Sequence, residues 1–117
     1  MAKHYRHGDV SFHQVSPEEA KKMIAELGDK AQIEKNVDKF VVALGEVTGH
    51  KHVMTLERPS LNIWGLPTEE DKLFQLKAPG TMTHEEHHAI VMEPGFYVQK
   101  IEREFDPFSE EARRALD

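Results

Sequence analysis

Two short stretches, Gly49-His50-Lys51-His52 and His84-Glu85-Glu86-His87-His88, hold most of the eight histidines of this chain. In an extended strand, residues two apart share a face with their backbones about 7 Å apart, so the imidazoles of His50 and His52 can converge on one ion. Metal–nitrogen bonds of about 2.0–2.1 Å require such convergence, and Gly49 beside the pair lets backbone or ligand come close.

The second stretch reads in three ways. As a turn after Thr83 it brings His84 and His87 to about 7 Å, which is the preferred reading. As a regular strand it would put His84, Glu86 and His88 on one face, with the two histidines about 13 Å apart. As a helix it would satisfy the His-Glu-x-x-His pattern of metalloproteases, but strand-like Ala89-Ile90-Val91-Met92 and then Pro94 leave no long helix to hold it.

The ligand set expected from both stretches is His50, His52, His84 and His87, with His88 or Glu57 as a substitute for one of them. Four imidazoles make a closed tetrahedral site; three leave a position for water. Glu86 and Glu46 are the candidates for a catalytic base toward that water, and Glu57 and Glu104 are further oxygen donors. Nitrogen ligation favours zinc, then nickel; two histidines and a carboxylate would suit iron or manganese. His4, His7 and His13 read as surface residues in or near the first strand.

Composition narrows the setting. The absence of cysteine excludes disulfides and thiolate metal sites, so any ion rests on nitrogen and oxygen. A net charge of −6 without a basic stripe disfavours nucleic acid and anionic membranes as partners. The longest apolar run, residues 40–44, is far too short to span a bilayer, and the expected location is the cytoplasm. At 117 residues the chain reads as a single domain, 1–117, able to bury its own core. Homo-oligomers through sheet edges are open to it, and a small-molecule ligand has no identity in the sequence.

The elements that must position these histidines are mostly strands. Val10 and Phe12 alternate in a first strand over residues 7–15. Ser16 as N-cap, Pro17, Glu19 and the stripe Ala20, Met23, Ile24 and Leu27 predict a helix ended by Gly28. Residues 31–47 predict one or two strands, the second central in a sheet. Residues 50–57 form another, with His52, Met54 and Leu56 on one face. Pro59, Pro67 and Glu69-Glu70-Asp71 mark turns around a short strand at 61–64, where a hairpin is expected, and Leu73-Phe74-Gln75-Leu76 follows. Pro79-Gly80 and Pro94-Gly95 punctuate strands at 89–92 and 96–105, and Pro94-Gly95 reads as a turn between adjacent strands. Tyr97, Ile101 and Phe105 read as core, and Ser109 caps a short helix to Leu116. The expected fold is α+β, mostly antiparallel β in a small barrel or sandwich, with one helix after the first strand and a short C-terminal helix.

The runs Gly45-Glu46-Val47-Thr48-Gly49-His50-Lys51-His52, Thr83-His84-Glu85-Glu86-His87, Pro94-Gly95-Phe96-Tyr97 and Arg103-Glu104-Phe105-Asp106-Pro107, with Arg6-His7-Gly8-Asp9-Val10 at the start, resemble a family of short uncharacterised proteins of bacterial and phage genomes. That likeness covers most of the chain, implies no particular activity, and would place a phage-encoded copy in the host cytoplasm. Gly45, His50, His52 and Glu57 are also similar in order to the first motif of the cupins. That resemblance implies a β-barrel holding iron, manganese, nickel or zinc on His50, His52 and Glu57, with His84 or His87 standing in for the later histidine. The expected function is a metal-binding protein, with metal-dependent chemistry on a small molecule as the sharper form and a noncatalytic phage or bacterial accessory protein as the alternative.

Overall fold

In a computed structural model, which describes residues 3–7, 10–44, 51–67, 71–84 and 88–101, period-two alternation of apolar side chains decides the architecture. Its strands are β1 (His4–His7), β2 (Val10–Val15), β3 (Gln32–Val37), β4 (Lys39–Leu44), β5 (Lys51–Leu56), β6 (Leu61–Gly65), β7 (Lys72–Leu76), β8 (Gly80–Thr83), β9 (Ile90–Met92) and β10 (Gly95–Ile101), with one helix, α1 (Pro17–Leu27). Six of them form an antiparallel sheet in the order β1-β2-β10-β7-β6-β3, and four form a second in the order β4-β5-β8-β9. Val10 and Phe12, Ile63, Phe74 and Tyr97 from the first sheet meet Val42, Met54, Leu56, Met82 and Met92 from the second in one buried cluster.

The fold is therefore mostly antiparallel β with one helix, as expected, but neither sheet closes into a barrel among the described residues. Three local expectations need correction. Residues 4–15 form a hairpin, β1 with β2, with His7 opposite Val10, so the helix follows the second strand. β4 lies at a sheet edge, paired with β5, where β-branched content had predicted a central strand. Pro94-Gly95 does not join neighbours in one sheet: β9 and β10 lie in different sheets. The segments at 57–60 and 77–79 make the same crossing, so Pro59, Pro79 and Pro94 mark changes of layer. Proline suits such places because it cannot donate to a ladder. The expected C-terminal helix at 109–116 and Phe105 lie outside the described residues.

Local chemistry accounts for the helix. The Ser16 side chain accepts from Glu19 N at 3.1 Å, Pro17 opens the first turn, and Gly28 ends it with φ of 82°, a left-handed value that favours glycine. α1 lies against β10. Ala20 of the helix is buried, and Trp64 and Leu73, cross-strand partners on β6 and β7, are buried outside the shared cluster. On the outward face of the four-stranded sheet, Val41 and Val91 remain exposed.

Gly80 sits against side chains of both layers, Met54 and Leu56 of its own sheet and Leu76 of the other. A Cβ there would lie 2.7 Å from Met54 Sδ and 2.8 Å from Leu76 Cδ2, inside a filled core. Gly80→Ala should destabilise the fold by about 1–3 kcal/mol in urea unfolding, and an unchanged midpoint would contradict this packing. Tyr97 is fully buried and its hydroxyl donates to Glu93 O at 2.7 Å. Burial first, then the neighbouring Tyr5, raises its pKa well above the ordinary 10. The unfolded chain thus loses this proton first, and stability should fall as pH rises beyond about 10. That slope should be shallower in Tyr97→Phe, measured by denaturation across the alkaline range.

Candidate functional site

Antiparallel register and side-chain alternation bring three histidines together at one end of the interior. In the β5–β8 pair, Val53 lies opposite Thr83, so one step further His52 comes opposite His84. His52 shares the face of Met54 and Leu56, and His84 that of Met82, so both rings turn toward the core side of the four-stranded sheet. Their ring centroids are 4.3 Å apart. Cross-strand partners share a face, so His7, opposite the fully buried Val10, turns inward from the six-stranded sheet. Its ring lies 5.0 Å from that of His52 and 6.2 Å from that of His84, centroid to centroid.

Burial is uneven within the group. His7 is 3% exposed and His52 6%, whereas His84 is half-buried, so the cluster meets solvent from the His84 side. His7 Nδ1 and His52 Nδ1 are hydrogen-bonded at 2.9 Å, and His7 Nε2 donates to the backbone carbonyl of His88 at 2.9 Å. Among the described residues, no three His, Asp or Glu side chains are arranged to hold one ion.

Of the expected ligands, His52 and His84 are thus neighbours, while His50 and His87 lie outside the described residues, as do the candidate bases Glu46 and Glu86 and the donor Glu104. His88 is exposed and takes part through its carbonyl. Glu57 is exposed just past the far end of β5, about 16 Å of extended chain from His52, so it does not join that histidine as a cupin-like ligand would. His4 and His13 stack on each other across β1 and β2 with centroids 4.2 Å apart, the surface position expected of His4.

His7 is the residue that sequence reasoning placed wrongly, at the surface. The signal was present: Gly8-Asp9 between His7 and Val10 is a two-residue hairpin connection by type, and pairing His7 with an inward Val10 fixes its direction.

A two-sheet antiparallel domain with a buried imidazole cluster between its layers is the class that these features define. The chain belongs to the family described as Domain of unknown function (DUF8820), whose profile matches residues 6–102, a span that includes His7, His52 and His84. No curated protein and no solved structure matches the chain.

The helix α1 is too short and polar to cross a membrane, and among the described residues no helix is long and apolar enough to do so. Because His7 bonds both to the buried ring of His52 and to the His88 carbonyl, His7→Ala should remove two hydrogen bonds at once. A loss of about 1–3 kcal/mol in denaturant unfolding is expected, whereas a neutral result would mean that neither bond persists in solution.

Proposed function

We propose that this protein binds a divalent transition-metal ion at the inward histidine cluster, with His52 and His84 supplying two of the nitrogens. The observation that carries the reading is their opposition where the β5–β8 register continues past Thr83, with rings 4.3 Å apart and the buried ring of His7 beside them. Two imidazoles side by side make half of a tetrahedral set, one on β5 and the other on the residue that directly follows β8. His50 and His87, two and three positions along the chain from this pair, are the partners that the spacing favours. Nitrogen donors favour zinc, with nickel next; entry of Glu46 or Glu86 would move the preference toward iron or manganese.

Elemental analysis of protein purified without an affinity tag and dialysed against zinc tests this directly. About one ion per chain is expected in the wild type, and close to none in a His52→Ala/His84→Ala variant. A wild type that retains no metal, or a double variant that retains as much, would overturn the proposal. Single His50→Ala and His87→Ala variants then identify which neighbours complete the set.

A further inference from the structure

We infer that Glu57, with the outward side of β5, β8 and β9, forms a pocket for a small organic cation: a free amine carrying an apolar group. It lies at the end of the four-stranded sheet away from the histidines, and the inference is independent of the metal-binding reading because the two share no residue.

Register builds this pocket. Thr55 lies opposite Thr81, and Thr81 opposite Val91, so the three form one row across β5, β8 and β9. Their neighbours along the strands, Met54, Leu56, Met82 and Met92, belong to the buried cluster, so the row faces outward. Carried one step past Leu56 and Gly80, the same register brings Glu57 opposite Pro79. These two, the three residues of the row and Leu56 line a pocket of about 360 Å³, at the small end of the range of about 300–1,000 Å³ typical of ligand sites.

The lining decides the ligand. Val91, 64% exposed, supplies apolar contact together with Pro79 and Leu56, and Thr55 and Thr81 supply hydroxyls that can donate or accept. Glu57 is the only charge among the described lining residues. Lys39, opposite Thr55 on β4, lies outside the lining, and among the described residues Glu57 forms no ion pair. A carboxylate here attracts a cation and repels an anion, and the net charge of −6 acts in the same direction. A primary ammonium has three N–H donors, one each for the carboxylate and the two hydroxyls, while its carbon part can cover Val91 and Pro79. On bare surface an exposed carboxylate is simply solvated; the apolar wall beside Glu57 is what gives an amphiphilic cation an advantage over water. The size of the pocket suits a free small molecule and is far below that of a protein interface.

NMR titration with three probes of one shape, benzylammonium, benzyl alcohol and benzoate, tests the inference. Benzylammonium should give saturable shifts confined to Thr55, Leu56, Glu57, Thr81 and Val91, with a dissociation constant on the order of 1 mM, the same with and without zinc. Benzyl alcohol should bind about 2–5-fold more weakly, and benzoate should leave these signals in place. In Glu57→Gln, an exposed substitution that leaves the core untouched, the affinity for benzylammonium should fall about 2–5-fold, to that of the alcohol. Added salt should weaken benzylammonium binding in the wild type and not in the variant. No saturable shift, benzoate binding as well as benzylammonium, or an unchanged affinity in Glu57→Gln would overturn the inference. Tighter binding of Nα-acetyl-lysine methylamide than of benzylammonium would overturn it as well, by giving the pocket to a lysine side chain of a protein partner.

Discussion

The pairing of β5 with β8 is the constraint from which the site follows. Because side chains alternate with a period of two, a slip of one residue in this register would turn His52, Met54 and Leu56 outward together and dissolve both the core and the histidine cluster. The apolar residues therefore enforce the placement of the polar ones. Met54 opposite Met82 sets the ladder in the core, and His52 opposite His84 is its continuation at the rim. Gly80 permits this close approach, since β8 enters the layer directly beneath Leu56 and Met54. The same hydrophobic burial that stabilises the two sheets holds the imidazoles together.

How far the sequence reveals this depends on the range of the interaction. Strong local signals read well: the Ser16 cap and Pro17 located the helix, and the alternation of His52, Met54 and Leu56 identified the inward face of β5. Sheet membership did not read, because pairing of β2 with β10 or of β5 with β8 leaves no mark in local composition. This is why β4 was expected in the middle of a sheet. Its run of Phe40, Val41 and Val42 is as apolar as a central strand, yet Val41 is exposed at an edge. His7 failed for a smaller reason, an unread hairpin. The convergence of His52 with His84 was legible only as an expectation from their types, and the register turned it into a distance.

The two layers differ in how they are covered. The six-stranded sheet has the shared core on one face and α1 against the other, near β10. Val41 and Val91 on the second sheet look outward, flanked by β-branched and threonine positions such as Val53, Thr55 and Thr81. The edges are treated differently as well: β3 pairs with β6 through register shifts, and Asn36 there takes a φ of 49° with its N–H bonded to Asn62 Oδ1. An edge broken in this way is a poor template for further strand addition.

The position of β10 carries a consequence for how the molecule comes into being. This strand is last among those described, yet it sits between β2 and β7 and is the partner that attaches the N-terminal hairpin to the rest of its sheet. A ribosome releases residues 4–15 well before residues 95–101, so the pair of strands bearing His7 must wait for its β10 partner while the residues between are made. Contacts this distant along the chain are entropically slow to form. The histidine assembly is therefore completed only after β10 has emerged, and a product truncated before β10 would lack the strand that joins the His7-bearing pair to the rest of its sheet.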